Sequence, residues 1–269
     1  MHAAPQTKAF SLVELSIVLV ILGLLVGGIL AGQSLIRASQ LRAVSTEFNF
    51  YTTALMSFRD KYLNWPGDMP NATAFWGAAN NGNGKGDSCF SLNVSTLGGK
   101  TCNGTGDGYI SDPGGVSANY VGGETFHAFV QMANAGLING TYTGVAATTS
   151  PSSRVPGLNM PASKIPNQGI SIQNDPTPDT NYFFSNITSL SVYYLSLSRA
   201  YNGSTELKPE EAWNIDTKMD DGKPALGRML TQKKTSIGTP NCPTSDAYAT
   251  AEYDVTNTSK LCQLYWRFY

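Results

Sequence analysis

Residues 10–32 read FSLVELSIVLVILGLLVGGILAG, and this run decides how the rest of the chain must be arranged. About 22 residues at 1.5 Å each span roughly 33 Å, enough to cross a bilayer core. Glu14 is the one charge inside it. A carboxylate within a span costs about 2.5–3.5 kcal/mol on insertion scales, so it needs a partner and is by default functional. Gly23, Gly27, Gly28 and Gly32 each weaken the helix by roughly 0.5–1 kcal/mol. Two roles stay open for them: bending or local melting, or close packing of the small-xxx-small kind.

The helical pattern continues past the span. Leu41, Val44, Phe48, Tyr51, Leu55, Phe58 and Tyr62 step by three and four, one apolar stripe on a helix. Arg42, Ser45, Glu47, Asn49 and Lys61 occupy the other faces. Trp65-Pro66-Gly67 should end the helix, because the residue before proline avoids helical backbone. The expectation is a single helix over 10–64, membrane-spanning over 10–32 and amphipathic over 33–64. Its back half should pack on the chain's own head, residues 65–269.

Ahead of the span stands the short polar piece MHAAPQTKA. An ordinary secretory signal is cut after its apolar stretch. Here the helical patterning runs straight through the small residues that follow, and no cysteine stands there to be lipidated. Lys8-Ala9-Phe10-Ser11-Leu12-Val13-Glu14 resembles the processing motif of type IV prepilins and type II secretion pseudopilins. The resemblance implies that residues 1–9 are a leader. A prepilin peptidase would cut between Ala9 and Phe10 and methylate the new amine of Phe10. It makes Glu14 the assembly glutamate, five residues into the mature chain. Ala9 departs from the commoner glycine, which should slow cleavage without preventing it. The cationic residues Lys8, Arg37 and Arg42 flank both sides of the span. Charge alone therefore leaves its orientation open, and the resemblance places the leader in the cytoplasm.

Cleavage at Phe10 creates an ammonium beside the span, and Glu14 can pair with such an amine on its own chain or a neighbour's. An unpaired carboxylate is costly in low dielectric and a paired one tolerable, so the pair favours correct stagger between subunits. The implied partners are the peptidase, the inner membrane before assembly, and other pilin or pseudopilin subunits in a homo- or hetero-oligomeric filament. That filament would lie in the periplasm or at the cell surface.

The head is less decisive. Net charge is -1 and charged residues are 14% of the 269, below the usual quarter, so no basic field recruits nucleic acid. Four cysteines, Cys89, Cys102, Cys242 and Cys262, allow three pairings. Joining sequence neighbours is the simplest, in an oxidising compartment. Helices are expected over 124–135 and 209–218, and strands within 182–198, 225–231 and 261–268. Residues 66–123 read as loops and 137–181 as an irregular excursion. The sum is an α+β, pilin-like fold: a long N-terminal helix against an antiparallel sheet, with a large loop-rich, disulfide-bonded head.

Two segments offer oxygen ligands suited to calcium. One is Asn80–Asp87 with Asn103, Asp107 and Asp112. The other is Asp216, Asp220 and Asp221, next to an Asp-Gly turn. Otherwise no cofactor is expected. His127 sits on an expected helix as a packed or surface residue, and no nucleophile elbow, P-loop or HExxH motif occurs, so an enzyme is not expected. Two functions compete: a structural filament subunit, and a tip adhesin or substrate-binding subunit whose large, polar head contacts surfaces, DNA or secreted cargo.

Overall fold

The computed structural model describes residues 11–79, 88–89, 100–111, 123–146, 154–175, 192–198, 206–232 and 241–268. Helix α1 (Leu12–Tyr62) has 51 residues, about 77 Å of rod. Every residue from Ser11 to Ala31 is exposed. Burial begins with the stripe: Val44, Phe48, Leu55 and Phe58 are fully buried, and Leu41, Tyr51 and Tyr62 pack partly against the same core. Leu63 ends the helix in left-handed backbone, φ 56°, and returns its N–H to the Arg59 carbonyl at 2.8 Å. Such a cap satisfies a carbonyl that the helix leaves open.

The head builds on that stripe. Helix α2 (Ala72–Trp76) is a single turn, and α3 (Glu124–Asn134) is buried on almost every side. Strands β1 (Gly169–Asp175), β2 (Val192–Ser198), β3 (Met229–Thr231) and β4 (Leu264–Arg267) form one antiparallel sheet in the order β1-β2-β4-β3. Ile170, Ile172, Leu195, Leu197, Leu264 and Trp266 turn one face into the core shared with α1. On the other face Ser171 and Ser196 sit directly opposite in register, their hydroxyl oxygens 2.7 Å apart, so each buried hydroxyl has a partner. Helix α4 (Pro209–Met219) lies alongside α1.

The α+β architecture is the expected one, with differences in detail. Residues 169–175 form a strand where an irregular excursion was expected, because Ile170 and Ile172 alternate into the core. Residues 72–76 form a helical turn inside a presumed loop, held by the Asn103 carboxamide, which accepts the Thr73 N–H at 2.9 Å. Strand β3 is shorter than 225–231 because the chain turns through 224–228. Strand β4 is shorter than 261–268 because Cys262 instead bridges to Leu207. Of the segment 182–198, residues 182–191 lie outside the described residues.

Candidate functional site

The membrane-proximal end comes first. Ser11 is the N-cap of α1: its hydroxyl accepts the Val13 N–H at 3.3 Å, while Glu14 Oε2 accepts the Ser11 N–H at 2.9 Å. This reciprocal capping box fills two donors that a helix start leaves open. The Ser-x-x-Glu spacing is the sequence signature of this box, a second role for Glu14 beside the ion pair expected of it. The structure gives Glu14 a partner within its own helix. Ala9 and Phe10 lie outside the described residues.

Five residues beyond the span, Arg37 joins helix to head. Its Nε and Nη2 donate to Glu211 Oε1 and Oε2, both at 2.6 Å, and Nη2 also donates to the Glu206 carbonyl at 2.7 Å. Such a two-pronged contact fixes orientation as well as distance. The Lys208 N–H adds a third donor to Glu211 at 3.0 Å. Burial works to raise the Glu211 carboxyl, but the bonds from Arg37 and Lys208 outweigh it and hold the group below its ordinary value. The hydrogen bond to Glu211 raises Arg37.

Where α1 ends, two buried acids meet. Gly67 stands at φ +89°, and a Cβ there would lie 2.2 Å from the Glu124 carbonyl, so glycine is required on both counts. Next to it, Asp68 collects the N–H groups of Gly106, Asp107 and Gly108 at 2.7, 3.2 and 2.9 Å. Glu124, at the start of α3, collects those of Thr105 and Ser111 at 2.8 and 2.9 Å. Burial pushes the Glu124 carboxyl up to about 7, and burial raises Asp68 as well. One turn along α3, His127 is fully buried, 3.3 Å from the Thr101 hydroxyl, and burial lowers it to about 3. It is a core residue, not a surface one.

Disulfides join Cys89 to Cys102 and Cys242 to Cys262, the pairing of sequence neighbours. Of the first calcium candidate, residues 80–87 and Asp112 lie outside the described residues. Asn103 is occupied with the Thr73 amide, and Asp107 Oδ1 accepts the Tyr109 N–H. The second candidate is brought together: Asp216, Asp220 and Asp221 place carboxylate oxygens within 4.8 Å of one another. Protein donors already reach them. Asp216 accepts the Tyr253 hydroxyl at 2.7 Å and the Gly222 N–H at 3.2 Å, Asp220 the N–H groups of Arg228 and Met229, and Asp221 the Lys223 N–H at 2.8 Å. Burial pushes Asp216 up to about 7, and its two acidic neighbours add to that. Three clustered carboxylates suit calcium chemically, and a proton on Asp216 relieves the same repulsion.

The family model described as the prokaryotic N-terminal methylation motif matches residues 5–30. That motif is the signature of type IV pilins and pseudopilins, and this chain carries it at the head of a helix apolar enough to cross a membrane. It implies processing by a prepilin peptidase and assembly with other pilin subunits. No characterised protein and no solved structure is significantly similar to the chain.

Proposed function

We propose that this chain is a minor pilin or pseudopilin, a structural subunit of a type IV pilus or type II secretion pseudopilus. It waits in the inner membrane as a single-pass precursor, is cut between Ala9 and Phe10, is methylated at Phe10, and enters the filament through α1. The filament then stands in the periplasm or at the cell surface. In this reading the chain performs no catalysis of its own. The observation that carries the reading is the methylation motif leading directly into 21 exposed helix-start residues, 11–31. A helix with no buried residue over that length must be covered by lipid or by other chains.

Mass spectrometry of the N-terminal peptide from the native host tests it. The expected mature chain begins with N-methylated Phe10. A chain that keeps its leader, or begins elsewhere, overturns the reading.

A further inference from the structure

The outer face of α4 carries a feature that the pilin reading leaves unused. Glu210, Trp213 and Thr217 are exposed and spaced three and four apart, and Lys218 is exposed beside them in the last turn. Glu210 and Trp213 line a groove of about 630 Å³ with Glu252, Tyr253 and Val255. Trp213 is 41% exposed and Val255 49%. The groove thus combines an open indole, a bare aliphatic wall and two carboxylates, with no cation among the described residues that line it. Tyr253 is spoken for by Asp216, and Glu252 pairs with the exposed Lys223. The Glu210 carboxylate has no partner among the described residues. An indole flanked by carboxylates selects a cation with a flat, weakly hydrated head, which is a guanidinium.

The chain carries a matching surface. Leu35, Ser39, Arg42, Thr46, Asn49 and Thr53 are all exposed and follow one another by three and four, a single uncovered stripe on α1. Leu35 is 72% exposed, and Arg42 has no partner among the described residues. Depth makes the match geometric. Copies anchored by the same span lie at the same depth in one bilayer. Arg37 holds α4 through Glu211, one residue from Glu210, so the groove stands near the level of Arg37. On a neighbouring copy, Leu35 and Arg42 lie about 3 Å and about 7.5 Å along the helix to either side of that level.

We propose that two copies lying side by side in the membrane bind each other through the α4 groove of one and the outer α1 stripe of the other. Arg42 enters between Glu210 and Glu252 against the Trp213 ring, and Leu35 covers Val255. The two halves are different surfaces of one molecule, so the contact joins successive subunits head to tail into rows or rings, not into two-fold dimers. This rests on the membrane-anchored reading above, and extends it to an ordered array before filament entry.

The test uses the full chain in the membranes of cells that make it. Copies carrying both Leu35→Cys and Val255→Cys are exposed to a mild copper oxidant. The expected product is a ladder of dimers, trimers and larger species, with little crosslinking from either single cysteine variant. Adding Arg42→Glu should lower the crosslinked fraction roughly fivefold, equivalent to about 1 kcal/mol, and adding Glu210→Arg as well should restore it. Four results overturn the proposal: no ladder, dimers formed as readily by Leu35→Cys alone, indifference to Arg42→Glu, or no rescue by the charge exchange. N-terminal processing is read on the same samples. Processed chains without a ladder sink this contact alone, whereas unprocessed chains sink the pilin reading.

Discussion

Asp68 and Glu124 share one hydroxyl: Thr105 Oγ1 lies 3.1 Å from Asp68 Oδ1 and 3.0 Å from Glu124 Oε1. A hydroxyl has one proton to donate, so the second contact is best satisfied by a proton on a carboxyl. Burial raises Glu124 to about 7 from 4.5, which makes it the carboxyl that holds a proton through the acid range. A carboxyl raised in the fold binds its proton more tightly folded than unfolded. Its contribution is therefore complete below pH 4.5 and is lost as pH rises to 7, roughly 3 kcal/mol in all. Asp68 and Asp216 act with the same sign. His127, lowered to about 3, acts oppositely, between pH 6.5 and 3. Thermal melts of the full chain in detergent should fall from pH 4.5 to 7, and Glu124→Gln should fall less over that window. Equal slopes would remove Glu124 from the account.

Arg37→Ala removes both prongs of the clamp and strands Glu211 beside α1. The pair is partly exposed, with side chains 29% and 15% accessible, so its value lies between that of a surface bridge and a buried one. About 1–2 kcal/mol of head stability is expected to be lost. The telling readout is local. Protease cleavage around α4 should accelerate, while the sheet stays protected. Uniform loss of protection would mean that Arg37 supports the whole head.

At Asp216 the neutralising charge is open to exchange. Above pH 7 its proton leaves and three carboxylates face one another. We propose that calcium then takes the proton's place. Millimolar calcium should raise the melting temperature at pH 8 more than at pH 5, and Asp220→Asn should abolish the difference. A melting temperature indifferent to calcium at both values would leave the cluster as a hydrogen-bonded turn.

Glu14→Gln separates two roles of one residue. Glutamine at the third helical position still completes a capping box with Ser11, but it carries no charge for the amine of mature Phe10. The variant should insert, be cleaved and then fail to enter filaments, because breaking one side of a low-dielectric pair costs about 3–5 kcal/mol by analogy with soluble proteins. Fractionation into membrane and sheared-filament pools decides it. Wild-type amounts in filaments would mean that capping, not charge, is what the glutamate provides.

Much of α1 was readable, because an apolar run and a stripe at helical spacing are local facts. Its end was readable to within two residues: the helix stops at Tyr62, capped by Leu63, just ahead of Trp65-Pro66-Gly67. Strand β1 was not, since Ile170 and Ile172 are only two alternating residues among glycines, prolines and serines. The Asp68–Glu124 and Arg37–Glu211 pairings lie 56 and 174 positions apart in the chain, and no periodicity reports a contact that the fold alone creates. The Ser11–Glu14 box is local and carries its Ser-x-x-Glu spacing, but a charge inside an apolar span points to an ion pair before it points to a cap.

The uncovered front of α1 also fixes how the molecule can travel. Fourteen large apolar side chains between Leu12 and Leu30 are exposed. At about 1.5–3 kcal/mol for each such group left in water, dispersing the subunit would cost tens of kcal/mol. The chain therefore has two homes, a bilayer or a bundle of similar helices, and no aqueous waypoint between them. Departure from one and arrival in the other must be a single handover in which the greasy rod is re-covered as fast as lipid lets go.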